Sequence, residues 1–259
     1  MKKIHLSILT CAIAALAFTS CTKTGATGPA GATGATGGTG PNLSGNLEGY
    51  VDLFDSYGTL VTPSNGVLIS IPGKTTAADT TNVTGMYNVA NLTTGTYAVD
   101  LTKTGYGAAK VVSLNFVGGG TQYVQNHLQM TQAPAFTLSA VTLTNVGGII
   151  TASVTASSTD TKTRKVILFM SSASTVSSAP ANYTGWQTIN IAAGASGAAA
   201  TISATTMNSF GIVTGNTLYV STYPISVSNN ASVYADVATG RSVFNNIGSA
   251  SVTANILVP

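Results

Sequence analysis

Three observations predict an all-β chain made of two antiparallel β-sandwich domains behind a flexible Gly-rich linker. Past residue 43, apolar side chains recur at every second position, as in Leu47, Val51 and Leu53, which is the spacing of a half-buried strand. Turn dipeptides such as Asn65-Gly66 and Thr94-Gly95 separate these runs at strand-length intervals. The composition is rich in Thr, Ser, Gly and Asn, with only 7% charged residues, which suits strands and turns and is poor in helix formers.

Residues 1–20 read as a secretory signal. Met1-Lys2-Lys3 is a positive start, Ile4 to Phe18 is mostly apolar, and small residues then lead to Cys21. Phe18-Thr19-Ser20-Cys21 resembles a bacterial lipobox, although Phe18 stands where Leu is usual. The resemblance implies that Cys21 is lipidated and becomes the mature N-terminus. Cys11 lies in the signal, so Cys21 would be the mature chain's single thiol and no internal disulfide could form.

Residues 21–42 carry the lipidated Cys and a linker in which Gly25, Gly28, Gly31, Gly34, Gly37 and Gly40 recur at every third position. This run resembles a collagen-like segment, where only glycine fits the crowded axis. It is short, and its prolines, Pro29 and Pro41, occupy only the X position. A flexible spacer of roughly 25 Å is therefore expected, with trimerisation through the Gly-X-Y run as the lesser alternative.

Residues 43–131 form the first predicted domain. Strands are expected around 47–53, 67–71, 86–89, 97–101, 112–116 and 122–130, with turns at Asp55-Ser56-Tyr57-Gly58 and Gly118-Gly119-Gly120. Gly49-Tyr50-Val51-Asp52, Gly66-Val67-Leu68-Ile69, Thr84-Gly85-Met86-Tyr87, Leu92 to Val99, and Lys103-Thr104-Gly105-Tyr106 follow one another in an order similar to that of a carboxypeptidase regulatory-like domain. That resemblance implies a transthyretin-like sandwich with no catalytic residues of its own. Thr84 stands where many members of the family carry Asp, directly before Gly85.

Residues 132–259 form the second, with strands expected near 136–140, 150–156, 166–170, 186–191, 199–204, 218–223 and 252–258. Val166 to Met170 is apolar on both faces, as in a central strand. Gly215-Asn216-Thr217-Leu218-Tyr219-Val220 resembles the start of the sixth strand of Ig/fibronectin III-like domains, which implies a tyrosine-corner role for Tyr219.

Charge excludes some functions. Without Lys2 and Lys3, 8 basic residues face 7 acidic ones, so no nucleic-acid surface is expected. The trio Lys162, Arg164 and Lys165 reads as a solvated hairpin end. Positive mean hydropathy does not imply a spanning helix, because no apolar run after residue 20 approaches the required length.

Catalytic machinery is sparse. The mature chain would hold one histidine, His127, and one glutamate, Glu48, so neither a metal set nor an acid–base pair is evident. His127 reads as an ordinary strand histidine. Asp52 and Asp55, the nearest carboxylate pair, fall short of the three or more ligands a calcium loop concentrates, and are expected to serve a turn and an edge. No catalytic residue, metal or cofactor is expected, and the chain is not expected to be an enzyme. Aromatic residues carry the binding hypothesis: Tyr183, Trp186, Tyr223 and Tyr234 sit at predicted loops or strand ends, where rings can stack on sugars.

The expectation is a lipid-anchored, non-catalytic cell-envelope protein that displays β-sandwich modules for adhesion or protein–protein assembly. The alternative is a surface glycan-binding lipoprotein of a polysaccharide uptake system. Partners would be the membrane, through the N-terminal lipid, and an unknown protein or glycan. The expected location is the outer membrane of a Gram-negative bacterium. Thr22-Lys23-Thr24 has no acidic residue and leaves the surface and periplasmic faces both open.

Overall fold

In the computed structural model, residues 42–228, 233–248 and 252–259 are described. The predicted signal, Cys21 and nearly all of the Gly-X-Y run lie outside them.

The chain from 43 to 131 is a pair of facing sheets. The first centres on β1 (Ser44–Phe54), which pairs antiparallel with β2 (Leu60–Val61) and β5 (Met86–Thr93). The second runs in the order β4 (Lys74–Thr80), β3 (Leu68–Ile71), β6 (Gly95–Thr102), β7 (Ala109–Phe116), all antiparallel. Alternation along β1 turns Leu47, Val51 and Leu53 inward against Ile69, Val89, Leu101, Phe116 and Met130, all essentially buried.

The last predicted strand, 122–130, is two pieces, β8 (Thr121–Tyr123) and β9 (Leu128–Thr131). Both pair parallel with β1, departing from the all-antiparallel expectation. The reason is the crossover: the chain leaves the second sheet at β7 and returns to the free edge of β1 in β1's own direction. Gly45 permits the crossing, since a Cβ there would lie 2.0 Å from the Gly120 carbonyl oxygen. Strand β4 was not legible, because only Ala77 of its seven residues is buried.

The turn before β5 closes without an Asp at residue 84. Asn82, not residue 84, supplies the acceptor: its Oδ1 takes bonds from the Thr84 N–H (3.0 Å), the Thr84 hydroxyl (2.7 Å) and the Met86 N–H (3.1 Å). Asp55 does the same for the turn after β1, accepting from the N–H groups of Tyr57 and Thr59 at 2.9 and 2.8 Å. This is turn duty, an Asx motif in a loop.

From 138 onward, β10 (Leu138–Val146), β11 (Ile149–Ala156) and β14 (Gly197–Ile202) form a three-stranded sheet. It faces a four-stranded sheet in the order β13 (Gly185–Ile191), β12 (Arg164–Ser171), β15 (Thr217–Ile225), β18 (Val252–Leu257). Val166, Leu168, Met170, Ile150, Val154, Ile189 and Val220 meet between them. The predicted strand to residue 204 stops short. Ser203 caps a helix, α1 (Ala204–Ser209), by accepting from the Thr206 N–H at 3.1 Å, and this places Met207 in the core.

Strand β12 is apolar on both faces because both are covered. Ile167 and Phe169 point away from the facing sheet, into a third layer. That layer is the 172–184 loop, with its short 3-10 turn at Pro180–Asn182, and the hairpin of β16 (Val233–Ala235) and β17 (Ser242–Phe244). Tyr219 packs against this layer.

The charge trio is not a solvated hairpin end. Arg164 is 1% exposed, and Lys165 donates to the Val227 carbonyl at 2.8 Å. Lys162 lies 4.6 Å from the centre of the Tyr57 ring. Tertiary packing brings carbonyls and rings to these cations, which local charge patterning could not reveal.

Residues 42–259 form one compact unit. The turn after β1 touches the 157–163 loop, where the Tyr57 hydroxyl donates to the Asp160 carboxylate. The Val227 N–H donates to the Ser56 carbonyl at 2.9 Å, the Ser226 hydroxyl to Gln132 at 2.7 Å, and the Asn245 amide to Ala108 at 2.9 Å. The Tyr57 bond holds the Asp160 carboxyl below its ordinary value, helped by the Lys162 N–H, and the same bond raises the Tyr57 phenol. The carboxylate's contribution is therefore full above the ordinary carboxyl range, about pH 4, and is lost as pH falls through the lowered value. The phenol's contribution is full below about pH 10 and is lost as pH rises through the raised value. Asp160→Asn is expected to bring the alkaline titration of Tyr57 back toward 10, read by NMR of the ring resonances. A titration that does not move would dissociate the two groups in solution.

Candidate functional site

Of the four aromatic residues singled out from sequence, three converge. Strand β12 ends at Ser171, the loop returns through the 3-10 turn, and Tyr183 and Trp186 enter β13. Phe169 is the hub: its ring centre lies 4.9 Å from Tyr183, and 5.6 Å from both Tyr223 and Phe244. Trp186 packs edge-on against Phe244 at 5.1 Å. Trp186 points to this outer side because alternation along β13 sends Ile189 and Ile191 inward.

Exposure separates their roles. Trp186 is 41% exposed and can present a ring face. Tyr183 is 2% exposed, so it is no stacking platform; its hydroxyl donates to the Ser242 carbonyl at 2.5 Å, and burial raises its phenol above the ordinary value. Tyr223 is half-buried, edge-on to Phe169, and its hydroxyl accepts from the Ser178 N–H at 3.4 Å. Tyr234 lies elsewhere, on β16, with the Lys110 ammonium 5.7 Å from its ring centre. Tyr183 and Tyr223 were expected at loops or strand ends with rings free to stack, but a third layer covers both.

Trp186 forms one wall of a hollow of about 390 Å³, with Phe210, Gly185, Thr184 and Arg241 around it. Phe210 lies flat on the strand because residue 185 has no side chain; a Cβ there would sit 2.2 Å from ring atoms. The Arg241 guanidinium donates to the Pro180 carbonyl at 2.9 Å and lies 5.9 Å from the Tyr183 ring centre. It is presented by a tight turn in which Asp236 Oδ1 accepts from the Thr239 N–H (2.8 Å) and hydroxyl (2.7 Å). The Thr239 hydroxyl, with the N–H groups of the turn, holds the Asp236 carboxyl below its ordinary value. Phe210 and Arg241 were not legible, since they lie 24 and 55 positions from Trp186 along the chain.

The volume is in the range of small-molecule sites. Two aromatic walls, a cation and a hydroxyl suit stacking and hydrogen bonding to a polar ligand. The lining contains no carboxylate or histidine to move a proton. Among the described residues, no three His, Cys, Asp or Glu side chains are grouped to hold a metal ion, and no helix is long and apolar enough to cross a membrane.

No family model matches the chain, and no curated protein matches it. Solved structures share weak likeness. A cohesin–X-dockerin complex from Acetivibrio cellulolyticus is 20% identical over 34% of this chain, with a TM-score of 0.29; this chain spans 58% of the one matched. A candidate carbohydrate-binding protein from Bacteroides uniformis is 16% identical over 83% of this chain and 100% of that one, with a TM-score of 0.29. A DUF3823 family protein from Parabacteroides merdae is 18% identical over 71% of this chain and 92% of that one, with a TM-score of 0.27. At such scores these likenesses transfer no function. The all-β architecture rests on the chain's own sheets.

Proposed function

We propose that this protein is a lipid-anchored, non-catalytic component of a bacterial cell envelope that displays its β-sandwich body for adhesion or assembly. The observation that carries this reading is Phe18-Thr19-Ser20-Cys21, followed by the Gly-X-Y run and then a body with three-layer packing. Two or more acyl chains on Cys21 would anchor firmly, since each buried CH₂ contributes about 0.8 kcal/mol. The run from Gly25 to Pro41 would act as a spacer, and the outer membrane is the expected site. The order of turns and strands between Gly49 and Tyr106 supports a carboxypeptidase regulatory-like module, used here for display and not for catalysis.

Cys21→Ala is expected to move the protein from the membrane fraction to the soluble one and to abolish labelling by radioactive palmitate. A wild-type chain that is soluble and unlabelled would overturn the anchor. Protease treatment of intact cells would then assign the face.

The exposed indole of Trp186 in its hollow favours one second reading, a glycan-binding lipoprotein of an uptake system. In that case Trp186→Ala weakens binding to a soluble polysaccharide.

A further inference from the structure

A second aromatic surface lies on the first pair of sheets, away from the Trp186 hollow. Successive outward residues of β1 are Glu48, Tyr50 and Asp52. Beside them the register places Tyr123 opposite Glu48 on β8, and Asn88 opposite Glu48 on β5. His127 precedes β9 and reaches the same face.

Both tyrosine rings are exposed. Tyr123 is 63% exposed, and the Glu48 carboxylate opposite it raises its phenol above the ordinary value. Glu48 is only 9% exposed and accepts from the Asn88 amide at 2.8 Å. Tyr50 is 37% exposed and stacks on His127, with ring centres 5.0 Å apart and planes 23° from parallel. His127 Nδ1 is in turn 3.0 Å from Asp52 Oδ2. His127 is thus not the ordinary strand histidine expected from sequence: it lies just before β9 and stacks on the Tyr50 ring.

Tyr50 and Tyr123 are diagonal neighbours on adjacent parallel strands, which places their Cα atoms about 8 Å apart, within reach of one short oligomer. The charges between them are carboxylates, so the face repels polyanions. Its apolar part consists of rings bearing hydroxyls, with acceptors and an amide beside them. That combination suits a ligand with apolar C–H faces and many hydroxyls. We propose that this face binds a neutral glycan chain, with Tyr50 and Tyr123 stacking on sugar rings and Glu48, Asp52 and Asn88 taking hydroxyls. The proposal rests on the reading of the chain as a binding protein and is independent of the Trp186 hollow.

The test is native affinity electrophoresis of the full-length protein in nonionic detergent, through gels holding galactomannan, xyloglucan, amylopectin or polygalacturonate. Retardation by at least one neutral polysaccharide is expected. Tyr50→Ala and Tyr123→Ala should each weaken it about tenfold, a loss of one preorganised stacking contact. Tyr123→Phe should keep most of the retardation, because the stacking ring stays, and Val146→Ala, at an exposed strand end outside both aromatic surfaces, should change nothing. Unchanged thermal unfolding of the variants separates lost binding from lost fold. Retardation abolished by Trp186→Ala and kept by the tyrosine variants overturns this site while supporting the hollow. Preference for polygalacturonate overturns the charge argument, and no retardation by any of the four overturns glycan recognition at both places.

Discussion

Arg164→Ala is expected to destabilise the 138–258 sheets by about 3–5 kcal/mol, the range for breaking a buried charged contact. The side chain is 1% exposed at the start of β12. Its two terminal nitrogens donate to the carbonyls of Ser158, at 2.6 Å, and Ala195, at 2.7 Å, while the guanidinium carbon lies 5.2 Å from the Phe136 ring centre. The side chain thus ties the start of β12 to one end of the facing sheet, where Leu138 pairs with Ala156 and Thr155 with Gly197. Removing it strands two carbonyls at about 1–3 kcal/mol each and opens a cavity beside the ring. Arg164→Lys should recover only part of the loss, because an ammonium cannot offer two donors in one fixed plane. Trp186 is the chain's single tryptophan and lies on β13, so its fluorescence reports this part of the molecule directly. With about 2 kcal/mol per M urea, the midpoint should fall by about 1.5–2.5 M. An unchanged midpoint would mean that the guanidinium is solvated.

Gly85→Ala is expected to destabilise the 43–131 sheets by about 2–5 kcal/mol, for two reasons that add. Residue 85 has φ +84°, which costs a residue bearing a Cβ about 1–2 kcal/mol. The new Cβ would also lie 2.4 Å from the Val51 carbonyl oxygen and 3.0 Å from the Ser64 Cβ. Val51 is held in place, since its N–H donates to the Gly85 carbonyl at 2.9 Å, so the clash must shift β1 and the overpacking adds about 1–3 kcal/mol. Gly105→Ala is the matched control. Its φ is +81°, but nothing lies within 4 Å of the Cβ position, so only the conformational cost of about 1–2 kcal/mol applies. Hydrogen exchange of β1 and β5 amides measures both. Equal losses would remove the steric argument and leave backbone conformation alone.

The two glycines mark how far the chain could be read before its structure was in hand. Both stood in short Gly-containing stretches that read as turns between strands. Only the fold shows that one abuts a neighbouring strand and the other faces open space. The aromatic residues divide in the same way. Period-2 alternation placed Trp186 and Tyr223 on strands, yet burial at Tyr183 and Tyr223 depends on a layer whose residues lie up to 61 positions away. Tyr50, Tyr123 and His127 drew no attention together, because the parallel return of β8 and β9 to β1 is what makes them neighbours.

What the sequence determined by itself was the class of the elements and where the turns fall. Those follow from local alternation, from glycine's access to positive φ and from the short side chains that close turns. Tertiary structure decided which faces are covered, which cations find carbonyls and which rings stay in water. Each of these depends on register and on contacts distant along the chain, and neither composition nor spacing encodes them locally.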